Sequence, residues 1–143
     1  MNTSPKILIV DDEPNLLRST AKTLLREGYE VTTAEDNRVA LQLLKQDPQP
    51  FDLIILDLNM PDLSGRETKY AGLELLDRLK TDAPHIPVMI NSAWDEAETA
   101  KLCIDKGAVD YFVKGRTGEM LSKIRAVLEK KSDTPIGDGT TRH

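Results

Sequence analysis

The chain predicts an α/β fold in which a five-stranded parallel sheet carries helices on both faces. Three observations predict it. Leu53-Ile54-Ile55-Leu56 and Ile7-Leu8-Ile9-Val10 are unbroken aliphatic runs, and each ends in carboxylates. Such runs are too continuous for a strand with one wet face and read as strands buried on both sides. Short strands alternate with helical patterns five times, which gives (βα)5, and strict alternation implies a parallel sheet. The 143 residues, 30% charged and 39% hydrophobic, suit one globular domain with a good single core.

The elements follow in order. The first strand covers Lys6 to Val10, and Pro14 suits the first turn of the helix after it. Leu17, Ala21, Leu24 and Leu25 form that helix's apolar stripe, and Gly28 stops it. Tyr29 to Ala34 is an edge strand, with Tyr29, Val31 and Thr33 alternating against Glu30 and Thr32. Asp36 or Asn37 caps a second helix with the stripe Val39, Ala40, Leu43 and Leu44; Pro48 and Pro50 end it. The central strand is Phe51 to Leu56, running into Asp57. The third helix contains Leu73, Leu75, Leu76 and Leu79. Ile86 to Asn91 is the fourth strand, and Asp95 to Lys106 the fourth helix, with Asp95, Glu96 and Glu98 at its positive end and Gly107 as its stop. Asp110 to Val113 is the fifth strand. The fifth helix runs from Gly118 to Lys131 and buries Met120, Leu121, Ile124, Val127 and Leu128.

One spacing departs from the rest. Strand starts near 6, 29, 51, 86 and 109 are separated by 23, 22, 35 and 23 residues. The excess follows Asp57, where Gly65 and Gly72 both resemble helix entries. The segment 65–72 is either an added piece of helix or an enlarged loop. The loop is preferred, because Gly72 inside a helix would cost about 1 kcal/mol against Ala.

The net charge is −5, and the Lys and Arg residues are scattered without a basic stripe, which argues against direct nucleic-acid binding. A lone cysteine, Cys103, leaves no internal disulfide and favours a reducing, cytoplasmic setting; it reads as a half-buried helical residue. Neither a signal peptide nor a membrane span is expected. Residues 1–5 read as an N-terminal tail, 6–131 as the domain, and 132–143 as a polar disordered tail or linker stub.

Ligands of open α/β sheets bind at the carboxyl ends of the strands. Asp57 at such an end is either a turn cap or a group placed for chemistry. Asp11 and Asp12 break the tie, because parallel neighbouring strands bring them to the same edge. Three like charges in one pocket disfavour ionisation of at least one unless a cation is present. Oxygen ligands without His or Cys suit Mg²⁺. Ser92 and Lys114 follow the fourth and fifth strands. Singly, Ser92 reads as a turn hydroxyl and Lys114 as a solvated loop residue. Together with Asp57, a carboxylate able to accept a phosphoryl group, they supply a hydrogen bond and a cation for its oxygens.

Val10-Asp11-Asp12-Glu13, Leu56-Asp57-Leu58-Asn59-Met60-Pro61, Ser92-Ala93 and Gly107 to Lys114 resemble the receiver domain of two-component response regulators, over Lys6 to Lys131. The resemblance implies a doubly wound, flavodoxin-like (βα)5 sandwich with strand order 2-1-3-4-5. It implies Mg²⁺-dependent phosphorylation of Asp57 by a histidine kinase or phosphotransfer protein. Asp12, Asp57 and the carbonyl of Asn59 would hold the metal directly, and Asp11 through water. Ser92 and Tyr111 would form the switch pair, with output through the face of helix four, strand five and helix five. A monomer or a phosphorylation-dependent dimer is expected, acting as a signalling module rather than an enzyme.

The family's usual proline after the lysine, in a cis peptide, is here Gly115, so a trans peptide and a freer loop are expected. Trp94, two residues beyond Ser92, is expected on the rim of the site. The alternative is a Mg²⁺-dependent aspartyl phosphohydrolase. Such enzymes want Asp-x-Asp-x-Thr around the nucleophile, and Asp57-Leu58-Asn59-Met60-Pro61 lacks the second Asp and the Thr. A degenerate receiver is disfavoured by the intact Asp12, Asp57, Ser92 and Lys114. His85 reads as a solvated loop residue without a phosphate-carrying role.

Overall fold

The computed structural model describes residues 4–45, 51–59, 64 and 72–132. Ten elements alternate: β1 (Lys6–Val10), α1 (Pro14–Arg26), β2 (Glu30–Ala34), α2 (Asn37–Lys45), β3 (Leu53–Asp57), α3 (Gly72–Asp82), β4 (Val88–Ser92), α4 (Ala97–Asp105), β5 (Asp110–Val113) and α5 (Thr117–Ser132). The strands form one parallel sheet in the order β2-β1-β3-β4-β5. β3 and β4 are buried along their whole length, as expected of inner strands. β2 has only Ala34 buried, as an edge strand should.

Period-two alternation divides the core. Ile54 and Leu56 join one cluster with Leu75, Leu76, Leu79 and Tyr111, on the side of α2, α3 and α4. Leu53 and Ile55 join the other with Leu17, Leu24, Met120 and Ile124, on the side of α1 and α5. Both faces of the sheet are therefore covered.

Local chemistry sets the helix ends. The Glu13 carboxylate accepts from the Leu16 N–H at 3.0 Å, with Pro14 in the first turn. Asp36, not Asn37, caps α2, accepting from the Val39 N–H at 2.9 Å. α4 begins at Ala97 rather than Asp95, with Glu96 as the extended cap residue. α5 begins at Thr117, one residue before the expected start. Leu25 and Val39, expected in apolar stripes, are exposed. Thr33, expected on the inner side of β2, is exposed too. Cys103 is fully buried rather than half-buried, and burial pushes its thiol up to about 11. One residue before β1, the Pro5 carbonyl accepts from the Glu30 N–H at 2.9 Å.

Gly72 opens α3. Its N–H donates to the Leu58 carbonyl at 3.0 Å. A Cβ there would lie 2.6 Å from that oxygen and 2.7 Å from the Asp57 carbonyl, so only glycine fits. Residues 65–71 of the long third unit and 133–143 of the expected tail lie outside the described residues. No helix among the described residues is long and apolar enough to cross a membrane.

Candidate functional site

The site lies at the carboxyl ends of β1, β3, β4 and β5. Parallel pairing of β1 with β3 sets Val10 beside Leu56, so the next residues, Asp11 and Asp57, lie side by side where that pairing ends. Carboxylate oxygens of Asp11, Asp12 and Asp57 all lie within 4.8 Å of one another. Asp11 and Asp57 are buried, at 2% and 1% exposure, while Asp12 is exposed. Burial pushes the Asp11 carboxyl up to about 6 from its usual 3.8, and the Asp57 charge adds to the rise. The Glu13 N–H and Lys114 act in the opposite direction.

Lys114 answers the negative charge. Its Nζ lies 3.1 Å from Asp57 Oδ2 and 4.0 Å from Asp11 Oδ2. The turns beyond the strands are tied down by short-range bonds. Asp57 Oδ1 accepts from the Asn59 N–H at 2.9 Å, and Asp11 Oδ1 from the Glu13 N–H at 2.9 Å. The backbone N–H of Lys114 donates to the Ser92 carbonyl at 2.8 Å, which carries β5 pairing one residue past the strand. The peptide into Gly115 is trans, as expected, and Gly115 has a φ of +92°.

Ser92 is fully buried, and its Oγ accepts from the Trp94 N–H at 3.0 Å. The Tyr111 hydroxyl donates to the Trp94 carbonyl. Burial raises the Tyr111 pKa, and a hydrogen bond with Ser92 opposes the rise. Tyr111 is therefore already inward, at 7% exposure, rather than held in solvent. The Lys123 ammonium donates to the Tyr111 carbonyl at 2.6 Å and lies 3.1 Å from Asp110 Oδ1, fixing α5 against β5.

A family model described as the response regulator receiver domain matches residues 7–125. The chain belongs to the response regulator receiver family. As a receiver domain it is 31% identical over 134 residues to the probable transcriptional regulatory protein TcrX of Mycobacterium tuberculosis, covering 93% of this chain and 53% of that protein. It is 36% identical over 129 residues to the two-component response regulator ORR24 of rice, covering 89% of this chain and 19% of that protein. This chain thus spans about half of one relative and a fifth of the other. Among solved structures, it is similar to the Francisella response regulator 1452 receiver domain, with a TM-score of 0.78 at 26% identity over 90% of this chain and 99% of that one. A CheY-like receiver domain protein from Methanospirillum hungatei gives 0.75 at 29% identity, over 91% and 98%.

The structure brings the predicted Asp11, Asp12, Asp57 and Lys114 together, and it joins Ser92 and Tyr111 through the backbone of Trp94. Three convergent carboxylates with an exposed member fit a hard divalent cation. Asn59 does more than offer a carbonyl: its Oδ1 accepts from the Ala93 N–H at 3.1 Å and ties the β3 turn to the β4 turn. Trp94 is half-buried, with its indole against the α2/α3/α4 core cluster. His85 is exposed in the turn before β4.

Sequence reasoning missed Asn91. It is 6% exposed, and its Oδ1 accepts no hydrogen bond from any described residue. The signal was present: an amide ends an otherwise apolar strand, and β3–β4 pairing sets it beside Asp57.

Proposed function

We propose that this receiver domain accepts a phosphoryl group on Asp57 from a histidine kinase or phosphotransfer protein and passes the event to a protein partner. The carrying observation is the pair of buried Asp57 and half-buried Lys114, 3.1 Å apart at a sheet edge shared with Asp11 and Asp12. In the step, an Asp57 carboxylate oxygen forms the new P–O bond as the donor's P–N bond breaks. The donor's imidazole, protonated on its other ring nitrogen, leaves with that electron pair as neutral histidine. Mg²⁺, held by Asp11, Asp12 and Asp57 with the Asn59 carbonyl, would neutralise charge on the transferring phosphoryl oxygens.

The chain's own groups do the rest. Lys114 pairs with a phosphoryl oxygen once that group adds roughly −1.5 to −2 charges at this edge. Ser92, whose Oγ accepts from the Trp94 N–H, donates its O–H to another phosphoryl oxygen. Drawing Ser92 towards that oxygen pulls on the Ser92–Trp94–Tyr111 set and biases α4, β5 and α5, which carry the output. The longer transcriptional relatives are consistent with such modules acting through attached or separate effectors.

Acetyl phosphate with Mg²⁺ should add one phosphoryl mass to the protein. Asp57→Asn should abolish the addition. Continued labelling of the variant would show that another residue is the acceptor.

A further inference from the structure

Lys114 and Asp57 belong to strands that are not neighbours. β4 lies between β3 and β5, so the lysine and aspartate side chains together bridge two strand spacings, about 10 Å. The residue at the crossing point is Asn91. It pairs with Asp57 on one side and with Phe112 on the other. Alternation puts it on the α1/α5 face with Met89 and Phe112, which is the face from which Lys114 approaches. Asn91 and Lys114 line one cleft of about 170 Å³ together with Thr20, Gly115, Thr117 and Met120. Space around Gly115 is open, since a Cβ there would meet nothing within 4 Å. The lysine therefore has room to shift.

We infer that Asn91 is a positioning residue that gives Lys114 a second seat when a divalent cation enters the carboxylate cluster. An ammonium has three N–H donors. Lys114 lies within hydrogen-bond distance of Asp57 Oδ2 and only at ion-pair distance from Asp11. A dication held by the same carboxylates repels the ammonium and competes for those oxygens. A lysine that loses the carboxylate oxygens needs another acceptor for its N–H groups. The Asn91 Oδ1, buried and without a partner among the described residues, accepts the displaced N–H instead. Metal entry then requires a short slide of Lys114 rather than its expulsion, and the ammonium stays beside Asp57 for the incoming phosphoryl group.

This inference rests on the metal site of the proposed function, and its test is a binding measurement that needs no phosphorylation. Mg²⁺ affinity is measured by calorimetry for wild type, Asn91→Leu, Lys114→Met and the double variant. Asn91→Leu should weaken binding about tenfold where Lys114 is present, the worth of one charge-assisted hydrogen bond. It should have almost no effect in the Lys114→Met background, where there is no ammonium to seat. A purely structural asparagine would weaken both backgrounds alike, and that result overturns the inference, as does an unchanged affinity in both. Asn91→Ala, which adds no bulk, repeats the cycle if circular dichroism shows that the leucine variant is misfolded. Wild type that binds Mg²⁺ without Asn91–Lys114 coupling removes only the role of Asn91. Wild type that binds no Mg²⁺ at these carboxylates removes the metal site of the proposed function along with it.

Discussion

Consecutive residues of β4 face opposite sides of the sheet and live under different rules. On the α4 side, the Ser92 hydroxyl, both backbone groups of Trp94 and the Tyr111 hydroxyl form a connected set. On the α1/α5 side, Asn91 has an acceptor with no partner among the described residues, in a cleft that it shares with Lys114 and the positive-φ Gly115. Motion on the first side requires hydrogen bonds to be exchanged among packed groups. Motion on the second requires a charge to slide a short distance. A receiver can thus have one side of a strand respond in discrete steps while the other adjusts to the charge at the site.

The largest effect should come from breaking the charged side. Lys114→Met leaves Asp57 buried beside Asp11 without its cation, and should destabilise the metal-free protein by about 3 kcal/mol in urea unfolding. Mg²⁺ should recover more stability in this variant than in wild type, because it replaces the missing positive charge.

Proton binding by Asp11 probes the same side. Its folded pKa, about 6, is raised above the usual 3.8 by burial. The stability this group contributes is present in full below the lower value and is lost as pH rises through about 6. Urea midpoints of the metal-free protein at successive pH values should show that loss, and Asp11→Asn should remove it. Mg²⁺ affinity should move the other way, falling as pH drops through about 6, because proton and metal compete for the carboxylate.

The hydrogen-bonded side should respond more modestly. Tyr111→Phe removes the donor to the Trp94 carbonyl and should cost about 1 kcal/mol, a few degrees in Tm. Asn91→Leu makes the contrast sharper, because two methyl groups beside a cleft replace the amide, whose oxygen has no partner among the described residues. Its metal-free Tm should equal or exceed that of wild type, in a thermal melt that would show a clear loss if Asn91 carried a structural hydrogen bond.

The smallest signal is spectroscopic. The backbone of Trp94 joins Ser92 to Tyr111 while its indole packs on the core. Beryllofluoride with Mg²⁺ should therefore change its emission, and Ser92→Ala should reduce that change. Flat emission in both proteins would mean that the indole's surroundings are independent of the site.

Most of the fold and most of the site were legible from local sequence. An aliphatic run that stops at Asp11, Asp57, Ser92 or Lys114 marks a strand end, and in a parallel sheet all such ends share an edge. What escaped depends on contacts between distant segments. Asn91 looks like any polar residue leaving a strand until pairing sets it beside Asp57 and beneath Lys114. Asn59 was read for its carbonyl, while its side chain holds Ala93, 34 residues away. Leu25 and Val39 satisfy a helical stripe but sit at its margin, where the sheet no longer covers them.

The contact between Gly72 and the β3 turn also bears on how this chain can vary. The main chain leaves the sheet after Leu58 and is back on the Leu58 carbonyl at Gly72. A side chain at position 72 would press on the Asp57 and Leu58 carbonyls at once, so any replacement there would move the turn that carries the Asp57 carboxylate. The first residue of α3 is thereby as constrained as the strand end it touches.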